Sequence, residues 1–137
     1  MSDKQRTIWT AAIEDNLEML KELLDRNPEL ISARDSHRWT PLHQAAACSS
    51  LHVMSVLLER GADVNARGNA EETPLHLADN EPVTWLLIRY GADPRLEDRN
   101  GMTTLDFVHP DRQPGLHRML LQAIEQLDSL PRVPPLN

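Results

Sequence analysis

"TPLHQA" occupies residues 40–45, and "TPLHLA" occupies residues 73–78, 33 positions further on. A hexapeptide that returns with one change at a fixed interval marks a repeated structural unit. A period of this size belongs to architectures in which short units stack on one another. The residues also say what each unit starts with. Threonine is a good helix N-cap, because its hydroxyl accepts from a backbone N–H of the first turn. Proline suits the first helical position, where its missing N–H would have had no partner. A second match supplies the stops: "GADVNA" begins at Gly61 and "GADPRL" at Gly91. Glycine just past a helix takes the left-handed conformation that other residues avoid.

Between start and stop the apolar spacing predicts two short helices. In the clearest unit, Leu42, Ala45 and Ala46 form one small face. Ser49 and Ser50 then break the chain, with Ser50 as the expected cap of a second helix carrying Val53, Met54, Leu57 and Leu58. The next unit places Val83, Leu86, Leu87 and Tyr90 at i, i+3, i+4 and i+7. Ahead of Thr40 a degenerate pair of helices is expected over roughly 6–13 and 17–26, with Leu17, Leu20, Leu23 and Leu24 apolar. "MTTLDFV" (102–108) reads as a fourth start, interrupted by Pro110, Pro114 and Gly115. A final helix follows, with Leu116, Met119, Leu120, Ala123, Ile124 and Leu127 on one face. None of these helices is long enough to be stable alone in water, so the units must stack.

One unit is irregular. Thr40 to Gly61 spans 21 residues, whereas Thr73 to Gly91 spans 18. Three residues are missing between Ala78 and Val83. Either one helix loses about a turn or the junction tightens, and Pro82 suits the tighter junction because proline is tolerated in a first turn.

Composition narrows the function. The 137 residues carry a net charge of −7, which opposes nucleic-acid binding by phosphate neutralisation and docking on an anionic membrane. No stretch approaches the roughly 20 apolar residues of a membrane helix, and the N-terminal segment has no uninterrupted apolar core of a signal peptide. Cys48 is the single cysteine, so no intramolecular disulfide can form, as suits a cytoplasmic protein. No metal and no cofactor is expected. The six histidines show no i, i+3 or i+4 pairing, and five glycines leave no phosphate-cradling loop. His43 and His76 recur once per unit, which fits a structural hydrogen bond and not catalysis. Glu71, Glu72, Asp79 and Glu81 form an acidic group that reads first as solvated surface. Cys48 reads as a small packed residue, since no base or oxyanion donor is marked beside it.

The paired Thr-Pro-Leu-His-x-Ala motifs, the 33-residue period and the "LLxxGAD" endings resemble ankyrin repeats over about residues 4–128. The resemblance implies an all-α solenoid of about four stacked helix-turn-helix units with finger-like turns. Residues 1–34 would form an N-terminal cap unit, 35–67 a full repeat, 68–97 the shortened repeat and 98–130 a C-terminal cap unit, leaving 131–137 as a Pro-rich tail. The last unit departs from the motif, with Thr104 for its proline and Asp106 for its histidine. Arg38 and Glu71 stand where the finger glycine is usual, and Gly101 keeps it.

The resemblance also implies a function: a non-catalytic module that binds a protein partner through its fingers and concave groove, and that is monomeric on its own. A narrower alternative is a dedicated inhibitor, such as an immunity-type protein blocking one toxin or enzyme. Carried over residue by residue, the partner-binding positions are Ser36, His37 and Trp39, then Arg67, Asn69, Ala70 and Glu72, then Arg99, Asn100 and Met102. Ala47 and Cys48 join them from the groove. Trp39, next to a cap on a finger, is the candidate contact hot spot, with packing along the adjacent finger as the rival reading. Trp9 is expected to pack, and Trp85 to lie at the edge of its helix's apolar face.

Overall fold

The computed structural model describes residues 7–129. The helices are α1 (Ile8–Glu14), α2 (Leu17–Arg26), α3 (Pro41–Ala47), α4 (Leu51–Glu59), α5 (Glu81–Arg89) and α6 (Pro114–Ser129). Three single 3-10 turns cover Pro28–Ser32, Pro74–Leu77 and Thr104–Phe107, and no strand occurs among the described residues. The elements form two rows. An inner row runs α1, α3, Pro74–Leu77, Thr104–Phe107, with α1 against α3 and α3 against Pro74–Leu77. An outer row runs α2, α4, α5, α6 with each helix touching the next.

The two rows share one apolar core. The inner row contributes Ala11, Ala12, Leu42, Ala45, Ala46 and Leu75. The outer row contributes Leu20, Leu24, Val53, Met54, Leu57, Val83, Leu87, Leu116 and Leu120. Alanine dominates the inner helices because small side chains let neighbouring backbones approach closely, while the larger leucines fill the outer row. Gly61 (φ +92°) and Gly91 (φ +98°) end α4 and α5 in the left-handed region, as the "GAD" endings predict.

The three missing residues fall on the inner row. α3 has 7 residues and its counterpart is the 4-residue turn Pro74–Leu77, whereas α4 and α5 both have 9. The outer helix is spared because its Val83 and Leu87 sit fully in the core, while the inner turn, though shortened, still buries Pro74 and Leu75. Pro82 lies in the first turn of α5, where Asn80 caps the helix by accepting from Val83 N at 3.0 Å.

Several expected details are corrected. The first helix begins at Ile8 with Thr7 as its cap. The remainder of the expected 6–13 start, like the tail 131–137, lies outside the described residues. Pro114 and Gly115 open α6 and do not interrupt the chain before it. Ser50 does not cap α4 with its side chain, because its hydroxyl donates to the Ala12 carbonyl of the preceding unit. The vacant cap is filled from that same unit: Asp15 Oδ1 accepts from Val53 N at 2.9 Å. The cap of α4 is thus an inter-unit contact, whereas α1, α2, α3 and α5 are capped by Thr7, Asn16, Thr40 and Asn80 of their own units.

The finger turns show what the absent glycines imply. Arg38 (φ +61°) and Glu71 (φ +63°) hold the same left-handed conformation as Gly101 (φ +78°). For a residue with a Cβ that conformation costs about 1 kcal/mol. Arg38→Gly is therefore expected to stabilise the fold by about 0.5 kcal/mol once the larger unfolded-state entropy of glycine is subtracted. Arg38→Ala, which keeps the strain, should leave stability unchanged. Urea denaturation of the two variants separates them, and equal midpoints would show that the turn is unstrained.

Candidate functional site

Each finger is a tight turn held by one side-chain oxygen. In the first, Asp35 Oδ1 accepts from His37 N (2.8 Å) and Trp39 N (3.0 Å). In the third, Asp98 Oδ1 accepts from Asn100 N (2.9 Å) and Met102 N (3.0 Å). The middle finger has Gly68 at that position and no carboxylate to offer. Glu72 compensates from the far side of the turn, with Oε1 accepting from Ala70 N at 2.9 Å. Its other oxygen accepts from Trp39 Nε1 of the preceding finger at 2.9 Å. A Cβ on Gly68 would fall within 2.9 Å of both the Glu72 carboxylate and Trp39 Cδ1, so glycine is what leaves room for this arrangement. Burial on its own would raise the Glu72 carboxyl, but the bonds from Trp39 and Ala70 outweigh it and hold the group below its ordinary value.

The fingers are then stitched to one another. Asn69 N donates to His37 O (2.9 Å) and Arg99 N to Ala70 O (2.8 Å). Arg34 Nη1 bridges Arg38 O (2.7 Å) and Arg67 O (2.5 Å). Arg67 Nη1 repeats the bridge to Glu71 O (3.0 Å) and Glu97 O (2.7 Å). Glu97, the next in register, has no donor with which to continue the ladder.

His43 and His76 lock each finger to the helix behind it. Thr40 N donates to His43 Nδ1 (3.1 Å), and His43 Nε2 reaches Glu72 O (2.9 Å) in the next finger. A backbone N–H can only donate and a carbonyl can only accept. The ring therefore carries its proton on Nε2 and keeps a lone pair on Nδ1. His76 repeats this with Thr73 N (3.0 Å) and Met102 O (2.9 Å). In the last unit Asp106 Oδ2 accepts from Thr103 N at 2.8 Å. A carboxylate reproduces the accepting half of the lock, and within the described residues no further finger exists for a donating half to reach.

The structure sorts the twelve expected contact positions by exposure. Ser36, His37, Ala47, Cys48, Asn69, Ala70, Arg99 and Asn100 are exposed, so Cys48, at the C-terminal end of α3, is not packed as a small hydrophobe as the sequence suggests. Trp39, Arg67, Glu72 and Met102 are half-buried, and each is already engaged within the fold as described above. Trp39 lies flat against the His43 ring, with centroids 6.1 Å apart and planes 11° from parallel. It packs along the adjacent finger. Trp9 is partly buried against the core, as expected. Trp85 is a correction: it is 51% exposed and does not edge the core. The repeat itself carried the signal, since Trp85 aligns 30 positions after Ser55, a polar, half-buried residue of α4 and not one of its core positions. Phe107, 56% exposed, was also missed; its counterparts are Gln44 and Leu77. It helps line a recess of about 200 Å³ with His76, Ala78, Asp79 and Gln113, opened where the inner row is reduced to single turns.

This ladder of Thr–His locks, short inner elements and bonded turns repeats at about 30 to 33 residues through the described residues. A family model described as ankyrin repeats (3 copies) matches residues 1–68. The chain belongs to the ankyrin-repeat family. An ankyrin repeat-containing protein of Schizosaccharomyces pombe is 30% identical over 109 residues, covering 79% of this chain and 52% of that one. A putative ankyrin repeat-containing protein of Treponema pallidum is 31% identical over 109 residues, covering 77% and 37%. The BCL-6 corepressor-like protein 1 of Homo sapiens is 35% identical over 91 residues, which is 64% of this chain and 5% of the human protein. The chain thus spans about half the length of the fission-yeast relative and less of the other two. Ankyrin repeats are generally protein–protein interaction modules and typically non-catalytic. Among the described residues no group of three His, Cys, Asp or Glu side chains could hold a metal ion, and no helix is long and apolar enough to cross a membrane.

Proposed function

We propose that this ankyrin-repeat chain binds another protein through its finger tips and the groove face beside them, with no catalytic chemistry of its own. The observation that supports this most is the stitching of the three fingers. Main-chain, arginine and histidine bonds hold consecutive turns in register, while Ser36, His37, Asn69, Ala70, Arg99 and Asn100 stay exposed. Turns already fixed lose little conformational freedom on binding, so more of their contact energy appears as affinity. Ala47 and Cys48 extend this surface at the end of α3. Trp39, Arg67, Glu72 and Met102 act behind it by fixing the shape of the tips. Residues 1–34, 35–67, 68–97 and 98–130 are taken as the four units of one domain. A net charge of −7 favours a protein over a nucleic acid or an anionic membrane as partner, and an exposed thiol at Cys48 suits the reducing cytoplasm.

The test is a triple variant, His37→Ala, Asn69→Ala and Asn100→Ala, used as bait beside the wild type. These side chains leave every main-chain stitch in place, so the melting temperature should stay within about 2 °C. A partner retained by the wild type should be depleted about tenfold or more on the variant. Equal recovery on both baits would rule the tips out. If the partner is a single enzyme silenced at one-to-one stoichiometry, the narrower inhibitor reading follows.

A further inference from the structure

Trp85 stands at the centre of a groove on the outer row, away from the fingers. Leu51 of α4, Pro82, Trp85 and Leu86 of α5 and Met119 of α6 line it, together with Glu81, and its volume is about 390 Å³. Three consecutive outer helices thus share one apolar strip, with a half-exposed tryptophan at its middle. An apolar groove of this kind can receive an apolar side chain from a partner surface.

The pattern on α5 says what covers it. Glu81, Trp85 and Arg89 recur every four residues and so form one ridge of the helix. The acid is at the N-terminal end, the base at the C-terminal end, and the tryptophan is midway. Among the described residues neither Glu81 nor Arg89 forms an ion pair. Arg89 lies over the Trp85 ring, 5.2 Å from its centroid, and the Glu81 carboxylate rests beside Gly115 of α6. A ridge that reads acid–aromatic–base is complementary to itself when reversed. Two copies of α5 packed nearly antiparallel about a two-fold axis through Trp85 would set each Glu81 against the other copy's Arg89. Each tryptophan would then lie in the facing apolar groove. Antiparallel helix dipoles favour the same arrangement, and an isologous contact closes on two copies without building a filament.

We propose that the chain self-associates into a two-fold dimer through this outer groove, in place of the monomer expected from the sequence. The fingers and groove face of each copy remain open, so this does not depend on the partner-binding reading.

Sedimentation equilibrium of the full chain, from about 1 to about 500 µM, tests it by mass action. The wild-type mass should rise with concentration towards twice the 15.6 kDa of one chain. Trp85→Ala should raise the dimer dissociation constant about 30-fold or more, the effect of losing a central aromatic anchor. Arg89→Glu and Glu81→Lys should each weaken the dimer by placing like charges together, and the double variant should restore it. The finger-tip triple variant should dimerise like the wild type. A chain that stays at one-copy mass throughout overturns the proposal and leaves the groove to a different protein. So does a dimer indifferent to Trp85→Ala. A double variant weaker than Arg89→Glu alone refutes the antiparallel pairing.

Discussion

His43→Ala will melt on the order of 10 °C below the wild type, corresponding to a loss of about 3 kcal/mol. His43 has no exposed surface. Removing its ring takes from the Thr40 N–H the acceptor it has at 3.1 Å, leaves the Glu72 carbonyl with Gly68 N as its remaining donor, and opens a cavity of ring size. His76 makes the same bonds but is only half-buried, so water can replace some of what His76→Ala removes. About half the loss is expected there. Thermal denaturation followed by circular dichroism measures both. Two variants within 2 °C of the wild type would deny the lock any structural weight.

The same residue sets a pH dependence. Burial lowers the His43 pKa below the usual 6.5, overriding the opposing pull of the Glu72 carbonyl and carboxylate. Protonating Nδ1 would also set a new N–H against the Thr40 N–H that it now accepts. The unfolded chain therefore takes up this proton more readily than the folded one. The stability linked to His43 is fully present above pH 6.5 and is lost as pH falls from there through the lower folded value. Between pH 7 and 5 the melting temperature should fall, and it should fall less in His43→Gln. An identical slope in the two proteins would mean that His43 does not titrate in this window.

Trp39→Ala should destabilise the protein by about 2 kcal/mol, the second largest single effect expected. From the sequence alone a tryptophan on a finger next to a cap reads equally as a partner contact, whose loss changes stability little, or as packing along the adjacent finger. In the structure its indole covers the His43 ring at 11° and donates to Glu72 at 2.9 Å. Glu72 is also the only carboxylate that holds the middle turn, through Ala70 N. Trp39→Phe keeps the stacking and loses the donor, so about half the loss is expected. A double-mutant cycle of Trp39→Phe with Glu72→Gln should give a coupling of about 1 kcal/mol. Full additivity would show that the bond between the fingers contributes nothing.

How much of this could be read in advance depends on the range of the interaction. Thr40, Pro41 and Gly61 act within their own helix, through capping, a fixed φ and a left-handed stop, so the sequence places them directly. The replacement of the motif histidine by Asp106 is legible too, because one residue gives the accepting half of the lock. Ser50 misled because the alternative acceptor is Ala12 O, 38 positions away, and the cap that replaces it comes from Asp15, also 38 positions from Val53. Local propensity carries no information about either.

The sequence by itself determined the architecture. A 33-residue period with capped starts and glycine stops can bury its apolar faces only by stacking, and that result needs no particular distance. It also fixed the recurring role of His43 and His76, because a catalytic residue has no reason to repeat. Only the tertiary structure decided which side of the shortened repeat gave way. Val83 and Leu87 anchor the outer helix in the core, so the turn was lost from the inner row. Only the tertiary structure separated the tryptophans. Trp39 is held between two fingers by a carboxylate 33 residues on, and Trp85 is left at the surface with Leu51 and Met119 from the flanking units. Both outcomes depend on which unit lies next to which, and stacking alone supplies that information.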